Sequence, residues 1–264
     1  MSSINTQIRK NIINMVYNAN SGHIGGALSL VEIMHTLYFK IMDIDPQNPK
    51  KENRDILILS KGHGSAVLYS TLAHRGFFSI DELLTYRKIG SRLQGHPDKK
   101  YLPGVEASTG SLGQGVCIAV GVALSYKLDK KNNKVFAIAG DGESQEGSFW
   151  ESAMAASNYK LDNYTLIIDY NGLQIDGRNE EVMSLGDLGA KLKSFGFEVF
   201  NVDGHNEEEL EKVFRTEVKD KPKAVIAKTV KGKGVSFMEN SVAWHGKAPN
   251  KEEFEKAMFE LDAQ

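Results

Sequence analysis

Two short apolar segments that stop abruptly at glycine and polar residues constrain the fold of this chain most. The segment VFAIAG (135–140) leads directly into GDGESQEG (140–147), and TLIIDYN (165–171) ends at an asparagine thirty positions after the aspartate of GDG. Nearly continuous apolar runs of this length are typical of strands buried on both faces of a parallel sheet. We therefore expect two such strands whose ends hold a ligand between them.

Strand and helix patterns alternate along the chain. Such alternation predicts an α/β fold, in which a mostly parallel sheet carries helices on both faces in three layers. No linker interrupts the pattern, so a single domain over residues 1–264 is expected. Strands are predicted at 55–60, 135–140, 165–170, 197–202 and 224–230, and helices at 4–19, 25–42, from about 65, at 79–88 with Ser79 and Glu82 as a capping box, and at 111–128, 147–158, 187–195 and 206–218.

The predicted strand ends carry residues that suit a phosphate and a divalent cation. Ligands of open α/β sheets bind beyond the carboxyl ends of the strands. Gly142 would let a phosphate approach the backbone, and the following helix could offer its N-terminal amides. Asp141 would repel that phosphate unless a cation lay between them, and Mg²⁺ accepts oxygen ligands such as Asp141, the amide of Asn171 and a nearby backbone carbonyl. An ordinary turn would also explain either motif alone, whereas a dinucleotide site lacks its G-x-G-x-x-G signature.

Charge and cysteine content exclude several classes of protein. Lys plus Arg (32) nearly balance Asp plus Glu (34), which argues against a dedicated binder of nucleic acid or of anionic membranes. Cys117 is the single cysteine, so no disulfide framework or cysteine-based zinc site forms within one chain. No signal region or run of transmembrane length is present, and a cytoplasmic protein is expected.

Eight motifs follow one another along essentially the whole chain. They are SGHIGGALS (21–29), SKGHGS (60–65), QGHP (94–97), PGVEASTGSLGQG (103–115), GDGESQEGSFWE (140–151), DYNGLQIDG (169–177), VDGHN (202–206) and WHGKAP (244–249). In this order they resemble the amino-terminal half of transketolase, and the GDG-to-Asn block resembles the thiamine diphosphate motif. Any one of these motifs is moderately specific, and their common order is highly specific.

The resemblance implies a role for each matching residue. It implies that Mg²⁺ is bound by Asp141, Asn171 and the carbonyl of Leu173. It also implies that Gly142 and His63 contact the diphosphate and that Gly110 and Leu112 lie beside the cofactor rings. The substrate channel would be lined by His23, His63, His96 and His245, with His245 also at the cofactor. Glu146 would be a buried glutamate near the subunit interface that couples two active sites.

The activity that the resemblance implies is transfer of a two-carbon ketol unit from a ketose phosphate to an aldose phosphate. Thiamine diphosphate serves as the electron sink, and imidazoles, which titrate near neutral pH, move protons on the sugars. Full-length relatives have a second domain that completes the site. We therefore expect a separate carboxy-terminal subunit, with two copies of each chain in a heterotetramer, working in the pentose phosphate route or on unusual sugars.

Several alternatives stay open at this stage. The chain could be a thiamine diphosphate-binding module without turnover, or a carboligase of the deoxyxylulose-phosphate synthase type. Lys231 and Lys233 could contact phosphates or lie in a solvated loop. Ile24 and Ala27 depart from the usual family residues beside His23, which leaves the preferred sugar undetermined.

Overall fold

The computed structural model describes residues 3–263, so residues 1–2 and 264 of the predicted domain lie outside the described part. The strands are β1 (Ile56–Leu59), β2 (Val135–Gly140), β3 (Tyr164–Tyr170), β4 (Glu198–Asp203) and β5 (Lys223–Lys228). These five strands form one parallel sheet in the order β1-β2-β3-β5-β4. Within this sheet Gly140, the last residue of β2, pairs with Asp169 of β3.

Ten α-helices and several shorter helical turns surround the sheet within the described residues. The helices are α1 (Ser3–Ala19), α2 (Ile24–Leu28), α3 (Val31–Thr36), α4 (Ser65–Arg75), α5 (Gln114–Leu128), α6 (Gly147–Asn158), α7 (Asn179–Val182), α8 (Leu188–Ser194), α9 (Glu207–Arg215) and α10 (Lys251–Asp262). A π-helical turn spans Leu37–Ile41, and 3₁₀ turns span Gly62–Gly64, Ile80–Thr85, Gly142–Gln145 and Val242–Trp244.

Two hydrophobic cores, one on each face of the sheet, make the three predicted layers. Successive strand residues point to opposite faces, so Leu57 and Leu59 pack with α1 to α4 while Ile56 and Ile58 pack with α5 and α6. This confirms the α/β class with a parallel sheet covered by helices on both faces. No helix within residues 3–263 combines the length and apolarity needed to cross a membrane.

The predicted helix over 25–42 is wrong, because long-range contacts divide it. Helix α2 ends at Leu28, α3 begins at Val31, and a π-helical turn starts at Leu37. At the first break, the Ser29 hydroxyl donates to the buried carboxylate of Asp169, 2.6 Å away. The neighbouring Gly25 lies so close to the backbone of Trp244 that an added Cβ would be 2.8 Å from its carbonyl oxygen. These contacts place the first turns of the segment at the sheet edge.

The predicted helix over 79–88 is a 3₁₀ turn over Ile80–Thr85. Ser79 does cap it, since its side chain accepts from the Asp81 amide. Glu82 does not complete a capping box, because its carboxylate pairs with Arg92 across the loop. The salt bridge to Arg92 thus takes the place of the hydrogen bond that the Glu82 side chain would accept from the Ser79 amide in a capping box.

Candidate active site

All eleven residues predicted from the sequence line one cavity at the carboxyl ends of β1, β2 and β3. The cavity has a volume of about 370 Å³. These residues are His23, His63, His96, Gly110, Leu112, Asp141, Gly142, Glu146, Asn171, Leu173 and His245. A larger cleft of about 760 Å³ lies at the ends of β4 and β5, but it contains none of these residues. The smaller cavity is the candidate site, because buried charges and imidazoles converge on it.

Asp141 directly follows β2 and is almost fully buried. Its Oδ1 accepts from the Gly142 amide at 2.8 Å, and its Oδ2 accepts from the Gly172 amide at 2.6 Å. Burial, followed by the nearby charge of Asp169, raises the pKa of this carboxyl to about 6. A buried carboxylate held mainly by backbone amides is a site that a cation would stabilise.

The other two predicted metal ligands lie at the end of β3. The Oδ1 of Asn171 accepts from the Leu173 amide at 3.1 Å, while its Nδ2 donates to Asp169 at 3.2 Å. The Leu173 carbonyl already accepts from Lys231 Nζ at 3.2 Å, so a metal ion would share or take over this oxygen. One carboxylate, one amide oxygen and one carbonyl fit the ligand preference of Mg²⁺.

Within residues 3–263, no three His, Cys, Asp or Glu side chains are grouped so that they could hold a metal ion. A metal ion at Asp141 would therefore be bound by this carboxylate together with neutral oxygens. Those oxygens are available at Asn171 and Leu173.

Two buried lysines supply positive charge to the cavity. Lys61 pairs with Asp169 at 2.6 Å and donates to the Gly26 carbonyl at 3.0 Å. Lys231 lies 2.8 Å from His245 Nδ1, and burial, followed by the charge of Lys61, lowers the pKa of its ammonium to about 8. Such paired cations complement a phosphate or diphosphate group.

Lys231 is only 2% exposed, so the alternative of a solvated loop does not hold for its side chain. Lys233 behaves differently. It is partly exposed, forms an ion pair with Glu239 and lines the neighbouring cleft. The two lysines of the KGKG segment therefore have separate environments, which sequence alone did not distinguish.

The four predicted channel histidines form one cluster. The ring centroid of His23 lies 5.2 Å from that of His63, 5.5 Å from that of His245 and 6.4 Å from that of His96. Burial, followed by nearby positive charges, lowers the pKa of His23 to about 4, of His63 to about 2 and of His245 to about 3. The pKa of His96 is lowered by burial and by Arg87. Imidazoles in this state are neutral at pH 7 and can both donate and accept a hydrogen bond.

His23 carries a buried ring nitrogen without a hydrogen bond. Its Nδ1 has no partner among the residues that the structure describes. Because such an atom costs free energy when it stays unpaired, His23 is well placed to gain a hydrogen bond from a bound ligand.

The loop that carries Gly110 and Leu112 is held by a residue that sequence reasoning missed. Glu143 is buried beneath the loop and accepts from the Ser60 hydroxyl, from the Gly113 amide at 2.8 Å and from the Gly140 amide at 3.1 Å. An acidic residue just after a buried strand was the available signal. Gly110 itself packs on His96, where an added Cβ would lie 3.1 Å from the ring.

Two further observations adjust the predicted site. Glu146 lines the cavity and is exposed in the single chain, so its burial near a subunit interface stays a prediction. Arg87, also missed, lies close enough to lower the pKa of both His23 and His96, and its Nη1 donates to Ser21 at 3.1 Å. None of the motifs that carry the predicted site residues contains Arg87, because Arg87 lies in a separate loop and approaches His23 and His96 only in the folded chain.

Helix α6 spans Gly147–Asn158 as predicted, but a 3₁₀ turn over Gly142–Gln145 lies between Asp141 and this helix. The amides nearest to the carboxylate therefore belong to this short turn and to Gly172, and not to the first turn of a long helix.

Comparison with known proteins gives matches along almost the whole chain. The model of the family described as transketolase, thiamine diphosphate binding domain, matches residues 2–262. One of the subunits of the apulose-4-phosphate transketolase of Phocaeicola vulgatus is 44% identical over 255 residues, which cover 96% of this chain and 90% of that protein. The 6-deoxy-6-sulfo-D-fructose transketolase subunit SqwG of Clostridium sp. is 41% identical over 259 residues, covering 97% and 94%.

Solved structures agree with these matches. Transketolase from Campylobacter jejuni superposes with a TM-score of 0.91 at 34% identity, and that from Leishmania mexicana with 0.92 at 29%. Each match covers 99% of this chain but only 43% and 42% of the two solved chains. The chain therefore spans about two fifths of the length of these structures and nearly the whole length of the two relatives that are single subunits.

Proposed function

Because the chain belongs to the family of transketolase thiamine diphosphate binding domains, we propose that it is the amino-terminal subunit of a split transketolase. It transfers a two-carbon ketol unit from a ketose phosphate donor to an aldose phosphate acceptor. The observation that supports this best is the cavity in which the four histidines, two buried lysines and the Asp141–Asn171 pair converge.

The residues of the cavity floor fit thiamine diphosphate with Mg²⁺. In this proposal Asp141, Asn171 and the Leu173 carbonyl hold Mg²⁺, and Gly142 and His63 contact the diphosphate. The ammonium group of Lys231 offsets part of its remaining charge, whereas Lys61 is already paired with Asp169. When bound, the cofactor supplies the electron sink that lets a carbon–carbon bond of the ketose break.

The histidines serve the sugar. Neutral imidazoles at His23, His63, His96 and His245 hydrogen-bond its hydroxyl and carbonyl oxygens and exchange protons with them. Hydrogen bonds from these imidazoles would stabilise a developing alkoxide on the sugar. Gly110 and Leu112 form the wall beside the cofactor rings.

A second, different chain completes the site. Exposed apolar side chains at Ile118 on α5 and Met154 on α6 leave an uncovered face on this side of the domain, and Glu146 is exposed at the cavity rim. Apolar surface of this kind marks interaction sites. The partner is a carboxy-terminal transketolase subunit, which the names of the relatives that are single subunits also suggest. The assembly contains two copies of each chain.

The sugar is the least defined part of the proposal. Two relatives, at 44% and 41% identity, carry the names of different ketoses, apulose 4-phosphate and 6-deoxy-6-sulfofructose. The assay therefore includes sugars of the pentose phosphate route and unusual sugars. The proposed location is the cytoplasm, where the free thiol of Cys117 would stay reduced.

The test combines binding and turnover. The purified chain is titrated with thiamine diphosphate by calorimetry, with and without Mg²⁺, alone and with the carboxy-terminal subunit from the same genome. We expect tight, Mg²⁺-dependent binding only with the partner, followed by ketol transfer from pentulose phosphates, apulose 4-phosphate or sulfofructose to an aldose phosphate. Decarboxylation of pyruvate in place of ketose cleavage would favour the deoxyxylulose-phosphate synthase type, and tight binding to the lone chain without turnover would favour the binding module.

A further inference from the structure

A fully buried carboxylate lies directly beneath the proposed metal site. Asp169 has no exposed surface and does not line the cavity. It receives hydrogen bonds from four residues that the sequence places far apart. These are Ser29 at 2.6 Å, Lys61 at 2.6 Å, Asn171 at 3.2 Å and the hydroxyl of Thr229. One side chain thus connects helix α2 with the ends of β1, β3 and β5.

The contact with Asn171 fixes which way its amide points. The buried ion pair with Lys61 keeps Asp169 as a carboxylate, and a carboxylate can only accept hydrogen bonds. The Nδ2 of Asn171 must therefore face Asp169. On the other side of the amide, Oδ1 accepts from the Leu173 amide at 3.1 Å, which requires the same orientation. The oxygen consequently points away from Asp169, on the side where Leu173 and Asp141 lie.

We propose that Asp169 is a positioning residue that orients the Asn171 amide oxygen toward the metal ion. This proposal rests on the proposed function, because it assigns a partner to one ligand of its Mg²⁺ site. An asparagine has one oxygen and one NH₂ group of nearly equal size, so half of its orientations would present hydrogens to a cation. A buried acceptor that binds the NH₂ group removes those orientations, which is how residues behind a metal ligand usually act.

The first test measures metal affinity, independently of turnover. Mn²⁺, which prefers the same oxygen ligands as Mg²⁺, is titrated into the chain at saturating thiamine diphosphate, with the partner subunit present, and free Mn²⁺ is followed by electron paramagnetic resonance. We expect Asp169→Ala to weaken Mn²⁺ binding about 10- to 100-fold. Adding Asn171→Asp to that variant restores binding to within about threefold, because a carboxylate has two equivalent oxygens and needs no orientation.

Two outcomes of this test overturn the proposal. One is a folded Asp169→Ala chain that binds Mn²⁺ as tightly as the parent. The other is failure of Asn171→Asp to restore binding in the Asp169→Ala chain, since the loss would then come from disturbed packing or from the unpaired Lys61. Far-ultraviolet circular dichroism establishes that each variant is folded.

A single substitution decides the matter if Asp169→Ala does not fold. Asn171→Asp in the otherwise native chain replaces the donating NH₂ group by a carboxylate oxygen about 3.2 Å from Asp169. Like charges at this distance repel, so we expect weaker Mn²⁺ binding than in the parent, although a carboxylate is ordinarily the better ligand. Tighter binding would overturn the proposal.

Asp141→Ala separates this inference from the proposed function. If Asp141→Ala abolishes Mn²⁺ binding and the Asp169 variants leave it unchanged, only the positioning role fails. If Asp141→Ala also leaves Mn²⁺ binding unchanged, the metal site itself is misplaced and the proposed function fails with it.

Discussion

The backbone amide of Gly172 donates a hydrogen bond to Oδ2 of Asp141 at 2.6 Å, which joins the two motifs at the ends of β2 and β3. The strand register makes this contact possible, because Gly140 lies opposite Asp169 in the sheet. Asp141 and the Asn-Gly turn are therefore held together by the protein alone. A site that is organised before it binds loses less entropy on binding.

Removal of the proposed metal-binding carboxylate should reduce the part of the affinity for thiamine diphosphate that depends on Mg²⁺. We expect Asp141→Ala to weaken Mg²⁺-dependent binding of thiamine diphosphate at least tenfold, because the cation loses its one charged protein ligand. Calorimetric titration with and without Mg²⁺ measures this change. Asp129→Ala removes an exposed carboxylate at the end of α5 and serves as the control. Equal affinity of parent and Asp141→Ala would contradict the assignment.

The same carboxylate should destabilise the metal-free fold at neutral pH. Its folded pKa of about 6 lies above the usual 3.8, so its favourable contribution is present below pH 4 and is lost as the pH rises through 6. This difference in pKa corresponds to about 3 kcal/mol of lost stability when the carboxyl is ionised. Replacing the carboxylate by an amide would recover that stability except for about 1 kcal/mol, because asparagine can accept only one of the two backbone hydrogen bonds. Asp141→Asn should therefore raise the free energy of unfolding at pH 7.5 by about 2 kcal/mol, as urea denaturation would show. A variant less stable than the parent at that pH would refute this reasoning.

Lys231 and Lys233 offer a matched pair of substitutions in one loop. Lys231→Met removes a buried ammonium from the cavity, and we expect about tenfold or greater loss of affinity for thiamine diphosphate. Lys233→Met removes a partly exposed ammonium outside the cavity and should change the affinity less than twofold. Titration of both variants with thiamine diphosphate and with inorganic pyrophosphate tests this difference. Similar losses in the two variants would mean that the loop acts only through net charge.

The partly buried histidines of the cavity should make the chain sensitive to acid. The folded pKa of His245, about 3, lies below its usual 6.5, so its contribution to stability is present above pH 6.5 and is lost as the pH falls toward 3. Each such imidazole adds at most about 1.4 kcal/mol per pH unit to this loss. His245→Gln should flatten the fall in unfolding free energy between pH 6.5 and 4.5. His74→Gln, outside the cavity, should flatten it less, and an equal effect of both variants would contradict the burial argument.

The exposed face of α5 can be tested for its role in assembly. An added Cβ at Gly121 meets nothing within 4 Å, so Gly121→Ala should stabilise the lone chain by about 0.5–1 kcal/mol. Gly121→Arg should leave the lone chain folded but block association with the carboxy-terminal subunit, since a long charged side chain cannot be buried in an apolar interface. Sedimentation velocity of the mixed subunits measures assembly. Unchanged assembly with Gly121→Arg would place the interface elsewhere.

The strands of this protein could be predicted well, because four of the five are buried almost throughout and only β4 is partly exposed along its length. Strand β2 ends where its apolar run ends, and β3, β4 and β5 lie within two residues of their predicted bounds at each end. Segments near the site were predicted less well. The helix expected over 25–42 is broken at Ser29, and Glu82 pairs with Arg92, because side chains from other parts of the chain compete with the local pattern.

The sequence by itself determined the α/β class, the strand ends and eleven of the residues that line the cavity, because apolar runs that end abruptly and the motifs can be read directly from it. Only the tertiary structure decided which charges are buried together. Lys231 lies in the cavity, Glu146 is exposed, and Asp169 receives hydrogen bonds from three distant segments as well as from Asn171. Burial and electrostatic coupling depend on contacts between residues up to about two hundred positions apart, and no local sequence pattern records those contacts.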